Sequence, residues 1–471
     1  MAVITCSSME GGLQIIGILV SLVLLMGLAY RGISVIILAP VLALLAVLFS
    51  GDGHQLLAVY TQVFMYGVLG FVVKYFPVFL LGAIFGKLMD DSGSAQRIAH
   101  SIIAVMGPAR VVLAVVLACG ILTYGGVSVF VVVFAVYPIA AVMFRSADIP
   151  KRLIPATIAL GGGTFTMTAL PGAIQIQNII PTAFFGTDIY AAPLFGTVCG
   201  AFMFAGGLLW LMRQTARYAN EGYGSHHLNE PAGIDDSRLP PLWVAVTPIV
   251  CVIVANYLFS EVLIPSWDTS YLAEEKFRAT SIDSLRSLWA MIAAMLIASI
   301  VTMILNLRRF LNLNKTLSEG AINSMLPTFN TGSEVGYGVT IASLAGFALI
   351  RSAIVNVTPD HPLISASIAV NVLAGITGSA SGGMSIALAA LGDTYRQLAL
   401  ESGISLELLH RVVAMSSGGF DTLPHNGAVI TMFIICGLTH RQSYKDLGMV
   451  TLVIPFTVVI VATTLWSVLA T

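Results

Sequence analysis

The chain has 471 residues, 57% of them hydrophobic and 10% charged, and its 22 Lys and Arg against 23 Asp and Glu leave a net charge of −1. A soluble globular chain carries about 25% charged residues, so a water-soluble fold is excluded, and the even charge balance argues against a nucleic-acid partner. A mean hydropathy of +0.92 points instead to an all-α polytopic membrane protein, because a membrane β-barrel would show short alternating segments, not unbroken apolar runs.

Residues 1–12 contain no Lys or Arg. The first apolar segment therefore lacks the basic region of a signal peptide and reads as a retained helix. A helix needs about 20 apolar residues to cross the bilayer. Ten crossings are predicted, near 13–30, 33–49, 57–90, 153–182, 189–211, 242–260, 288–306, 317–353, 408–436 and 448–470. Two further apolar stretches, 111–144 and 365–392, are broken in the middle. The first break is Thr123-Tyr124-Gly125-Gly126-Val127-Ser128 and the second is Thr377-Gly378-Ser379-Ala380-Ser381-Gly382-Gly383. Arg110 and Arg145 flank the first stretch, so both of its ends belong on one side, as in a re-entrant hairpin. The backbone at such a tip must be buried in protein or face water. Basic residues gather at Arg145, Lys151 and Arg152, and again at Arg308, Arg309 and Lys315. They mark the inner side, which puts the acid-leaning loop 261–287 and both termini outside. The five cysteines, Cys6, Cys119, Cys199, Cys251 and Cys436, show no paired spacing and read as small core side chains.

After each broken stretch comes a helix interrupted at a proline. The first carries Gly161-Gly162-Gly163-Thr164 and reaches Pro171-Gly172-Ala173; the second carries Ser416-Ser417-Gly418-Gly419 and reaches Pro424-His425-Asn426-Gly427. Gly126 lies 45 residues before Pro171, and Gly382 lies 42 before Pro424. The chain thus divides into a first repeat over 1–212, an inner linker over 213–241, and a second repeat over 242–471. Each repeat holds five crossings, one hairpin and one broken helix, and an odd number of crossings inverts the second copy. Secondary transporters share this layout, with broken helices meeting near the midplane. Proline removes a backbone donor and clashes with the preceding turn, so the freed groups can serve a solute.

At these residues the sequence resembles the gluconate:proton symporter (GntP) family, within the broader ion transporter superfamily. The likeness runs over nearly the whole chain. It is carried by the two Gly/Ser breaks, by Gly82-Ala83-Ile84-Phe85-Gly86-Lys87-Leu88-Met89-Asp90-Asp91-Ser92-Gly93, and by Gly437-Leu438-Thr439-His440-Arg441-Gln442-Ser443-Tyr444. The resemblance implies proton-coupled uptake of a small hydroxylated carboxylate such as gluconate, in a bacterial inner membrane, by a protein that can form a homodimer. Two positions depart from the family pattern. Tyr124-Gly125-Gly126-Val127 stands where gluconate carriers tend to place an acidic residue after aromatics. Ala169-Leu170-Pro171-Gly172-Ala173 lacks the histidine of their first break. The run Asp421 to Ala428 looks like a branch handling short hydroxyacids such as 3-hydroxybutyrate.

Candidate substrate contacts cluster at the four breaks: Thr123, Tyr124, Gly125, Gly126, Ser128, Thr166, Thr168, Gly172, Gln175, Asn178, Thr377, Ser379, Ser381, Gly382, Thr422, His425 and Asn426. A pocket needs only a few polar groups to orient a ligand. Ionisable side chains inside the membrane are costly and point to function by default. Glu334 is either part of the proton path or a structural partner of Lys74, whose depth it shares. Asp421 and His425 are the other proton candidates, since a histidine changes charge near physiological pH. No cofactor, metal or enzymatic motif is expected. Gly82 to Lys87 falls one residue short of a phosphate loop and lacks its Ser/Thr. His226-His227 stands beside no Cys, and Ala390-Leu391-Gly392-Asp393 lacks the first glycine of an aspartyl-protease motif. A Na+-coupled carrier, a channel and a membrane-embedded enzyme stay open as alternatives.

Overall fold

The computed structural model describes residues 2–30, 33–107, 110–224, 239–349, 361–424 and 426–469, and among them there is no strand. In chain order the helices are α1 (Ala2–Tyr30), α2 (Val35–Phe49), α3 (Gly53–Asp91), α4 (Ser94–Met106), α5 (Val111–Tyr124), α6 (Val129–Ser146), α7 (Ile154–Gly162) and α8 (Pro193–Arg217). They continue as α9 (Leu242–Ser266), α10 (Ile282–Asn306), α11 (Leu313–Ser343), α12 (Pro362–Thr377), α13 (Ala380–Glu401), α14 (Leu406–Ser417), α15 (Gly427–Cys436) and α16 (His440–Ser467). Among the described residues, five stretches are long and apolar enough to cross a membrane: α3, α8, α9, α16 and Leu285–Asn306 within α10. Hairpin arms and broken-helix halves form the shorter apolar pieces.

The most extensive packing joins α3 to α11. Glycines bring the two backbones close: a Cβ at Gly67 would come within 2.9 Å of the Gly336 Cα, and one at Gly320 within 2.9 Å of the Ile84 Cα. At one end of this pair Lys87 Nζ lies 2.9 Å from Asp91 and 3.1 Å from Glu319, while the Thr316 hydroxyl donates to Asp91 at 2.6 Å. The Gly82–Gly93 run therefore has a structural purpose. It clamps α3 to α11 and turns the chain at Gly93, whose φ of +74° suits glycine.

Three expected elements differ in shape. The crossing at 57–90 is one helix of 39 residues, about 58 Å long at 1.5 Å per residue. That exceeds a hydrocarbon core of about 30 Å, so α3 tilts or projects. The crossing at 153–182 is helical only to Gly162; beyond it stand four-residue turns at Phe165–Thr168, Ile176–Ile179 and Thr182–Phe185. Gly161-Gly162-Gly163, Pro171 and Pro181 leave too few consecutive helix-compatible residues for a regular second half. The crossing at 317–353 is helical from Leu313 to Ser343, and its final residues, 350–353, fall outside the described ones.

Candidate functional site

Both hairpins form where the sequence breaks. In the first, α5 ends at Tyr124 and α6 begins at Val129, with Gly126 at φ +88°. Both glycines suit this tip, because a Cβ on Gly125 would come within 2.6 Å of Ile249 and the positive φ of Gly126 disfavours a side chain there. In the second, Gly378 at φ +62° ends α12, and Ser379 caps α13 by accepting from the Gly382 N–H at 3.1 Å.

Each hairpin break is tied to its own broken helix by an amide side chain. Gln175 Nε2 donates to the Thr123 carbonyl at 2.6 Å, and Asn426 Nδ2 donates to the Gly378 carbonyl at 2.8 Å. Asn426 also donates to the Asp421 carbonyl at 3.0 Å and caps α15 through Val429 N at 2.9 Å. One side chain thus fixes three backbone segments. Asn426→Ala is expected to lower stability by at least the ~1 kcal/mol of a lost cap, read as a lower melting temperature of the purified protein. The Tyr124 hydroxyl adds a second tie in the first half, donating to the Pro171 carbonyl at 2.9 Å. Gly172, at φ +77°, sits where a Cβ would strike Tyr190 and Tyr124.

The two broken helices meet each other. A Cβ on Gly418 would lie 3.0 Å from the Thr168 side chain. Among the described residues of the second half, three buried carboxylates have an oxygen without a hydrogen-bond partner: Asp446, which faces Arg152 at 3.9 Å, and, with no basic partner, Glu334, 4% exposed, and Asp421, 7% exposed. Glu334 abuts Gly382 at the start of α13, where a Cβ would collide with its carboxylate. The first-turn N–H groups of a helix favour a negative group there. No ion pair joins Glu334 to Lys74 among the described residues, so the structural pairing considered for them is not formed.

Several predicted contacts are occupied by the protein itself. The Thr166 hydroxyl donates to the Gly161 carbonyl, and that of Thr168 to the Thr164 carbonyl at 3.2 Å. Asn178 donates to the Ala173 and Ile189 carbonyls at 3.0 and 2.8 Å. Thr422 and Thr451 share a hydroxyl bond of 2.7 Å. Thr123 Oγ1, fully buried, has no partner, and Ser379 and Ser381 lie 3.5 Å apart at the second tip. Ser128 precedes α6 without a capping bond. His425 and the side chain of Thr377 lie outside the described residues.

The second family run, Gly437 to Tyr444, holds the second break in place. His440 Nε2 donates to the Pro424 carbonyl at 2.9 Å, and the Tyr444 hydroxyl to the Thr422 carbonyl at 3.1 Å. Thr439 and Gln442 form the capping box that starts α16.

Sequence reasoning missed Arg411. Its side chain is 0% exposed and is the largest of the fully buried ones among the described residues. Nε donates to Ala191 O at 3.0 Å, Nη1 to Asn178 Oδ1 at 2.8 Å and Thr168 O at 3.4 Å, and Nη2 to Ile189 O at 3.1 Å and Ala191 O at 2.8 Å. All five guanidinium hydrogens are used. The neighbouring His410 contacts Asn178 Oδ1 at 3.2 Å and the Thr187 hydroxyl at 2.6 Å. The signal was available, since His410-Arg411 is an ionisable pair inside the expected crossing 408–436.

Paired hairpins, discontinuous helices and buried unpartnered carboxylates are the construction of a membrane transporter. The family model described as GntP family permease matches residues 13–469. The chain belongs to the GntP permease family and is a transporter, not an enzyme. It is 46% identical over 457 residues to the "Uncharacterized transporter YxjC" of Bacillus subtilis (strain 168), covering 94% of this chain and 96% of that protein. The High-affinity gluconate transporter of Escherichia coli (strain K12) is 31% identical over 124 residues, 26% of each chain. Among solved structures, the Alcanivorax borkumensis YdaH transporter superposes with a TM-score of 0.55 at 16% identity, over 90% of this chain and 89% of that one. That last likeness concerns the fold alone.

Proposed function

We propose that the protein carries out proton-coupled symport of a small organic acid anion, gluconate or a short hydroxycarboxylate of the 3-hydroxybutyrate kind, across a bacterial inner membrane. The observation that carries this reading is the pair of buried carboxylates, Glu334 and Asp421, each with an unpartnered oxygen beside a break in the second half. A charge left unpaired inside the membrane is costly, so a mobile cation has to compensate it during transport, and a proton does so while an anion occupies the site. Thr123, Ser379 and Ser381 offer hydroxyls near the two hairpin tips. The matched bridges from Gln175 and Asn426 support two repeats, 1–212 and 242–471, joined by an inner linker. Five crossings in each would invert the second, and the basic residues of the connections favour both termini outside. His425 joins Asp421 in this proposal on sequence grounds, and homodimerisation accompanies it by family resemblance.

The test is uptake of labelled 3-hydroxybutyrate into proteoliposomes under an imposed inward proton gradient, with unlabelled gluconate as competitor. Accumulation that collapses with a protonophore is expected, and His425→Ala is expected to remove it. Strong gluconate competition, followed by direct gluconate uptake, moves the substrate to the sugar acids. A sodium gradient that replaces the proton gradient overturns the coupling ion. The absence of gradient-driven uptake of either acid removes the proposal.

A further inference from the structure

Lys74 lies near the middle of α3, 21 residues beyond Gly53 and 17 before Asp91. At 1.5 Å per residue it is about 31 Å from the first end and about 26 Å from the second. It has no acidic partner among the described residues, in contrast to Lys87 on the same helix. Such a lysine near the middle of a membrane protein is costly unless something compensates its charge. The side chain lines a cavity of about 490 Å³ bounded by α3, α11, α13 and the turn that carries Phe184, and it is the cavity's single charged residue. Gln62, Tyr66 and Ser385 supply further polar groups. Ser385 is 1% exposed and its hydroxyl has no hydrogen-bond partner. Gly70 opens on the same space, with nothing within 4 Å of where a Cβ would stand.

A lone cation, an unsatisfied buried hydroxyl and an apolar wall make a site for a small monocarboxylate. Its volume lies in the range of small-ligand pockets, roughly 300–1,000 Å³. We propose that this cavity is the anion subsite of the carrier, with Lys74 anchoring the carboxylate and Ser385 orienting it. This rests on the organic-acid reading above and adds a location to it. Glu334 abuts Gly382, and Ser385 follows one helical turn later on α13. The proton carrier and the anion anchor therefore address the same helix. Lipid phosphates compete poorly for a lysine at mid-helix, and a neutral detergent keeps them out of the comparison.

Ligand that binds only the folded protein raises its melting temperature. Purified protein in neutral detergent is titrated with 3-hydroxybutyrate, gluconate and the uncharged 3-hydroxybutyramide. At least one acid is expected to raise the melting temperature, and the amide is not. Lys74→Gln is expected to raise the half-maximal concentration about 30-fold or more, the loss seen when one member of a buried charge pair is removed. Lys74→Arg keeps part of the affinity, and Ser385→Ala weakens it several-fold. Gly70→Phe, which leaves Lys74 in place and fills the space, removes the response. Unliganded melting temperatures serve as the folding control. Wild-type affinity in folded Lys74→Gln and in folded Gly70→Phe overturns the subsite, while proteoliposome uptake then leaves the transporter reading standing. A wild-type protein that neither responds to nor accumulates either acid overturns both.

Discussion

Glu334→Gln is expected to lose gradient-driven accumulation almost entirely while retaining exchange of solute between the two sides of a preloaded vesicle. The carboxylate is 4% exposed, has an oxygen without a partner, and lies against the start of α13. Glutamine keeps the shape and the hydrogen-bonding capacity but cannot release a proton. If Glu334 carries the coupling proton, the neutral variant behaves as permanently loaded, so it shuttles with solute bound and cannot return empty. Accumulation under a proton gradient should fall at least tenfold, a change of about 1.4 kcal/mol or more, and counterflow should persist near the wild-type rate. A purely structural Glu334 predicts another pattern, in which both activities survive or both fail with the fold. Full accumulation in folded Glu334→Gln would take Glu334 out of the proton path.

Much of this site was legible because backbone breaks leave marks in composition. Thr123 to Ser128 and Thr377 to Gly383 interrupt apolar runs with residues that end helices, and the structure turns the chain at both. That Lys74 and Glu334 stand on neighbouring helices was likewise readable from spacing, since α3 and α11 lie side by side. Their separation was not. Which face of a helix a residue occupies depends on the glycines that set the α3–α11 contact, and those give Glu334 to Gly382 and Lys74 to the cavity. The shape of the first broken helix also escaped, because short turns satisfied by side chains such as Asn178 have no periodic pattern. Thr166, Thr168 and Asn178 bond carbonyls of the chain itself, and sequence does not separate that use from substrate binding: a polar group that repairs a broken backbone is the same residue type as one that holds a solute.

Arg411 makes that point in energetic terms and supports the largest stability prediction. Its guanidinium has no ion pair among the described residues, and its donors end on carbonyls of Thr168, Ile189 and Ala191 and on Asn178 Oδ1. It thereby staples α14, from the second half, to the irregular segment that closes the first broken helix. Carbonyl dipoles supply what a carboxylate would supply elsewhere, and Ala191 O accepts twice from this one side chain. Arg411→Leu removes every one of these bonds and leaves space where the longer side chain stood. Each buried carbonyl left without a donor costs about 1–3 kcal/mol, and the lost packing adds a cavity term of similar size. The expected result is a loss on the order of 3 kcal/mol or more, seen as aggregated protein or a much lower melting temperature in detergent. Arg411→Lys keeps the charge but has three donors in place of five, so it should fold with an intermediate loss. If Arg411→Leu is monodisperse and melts like wild type, the segment holds without its staple. Arg411 would then have to be explained by its charge near the crossing of the two broken helices.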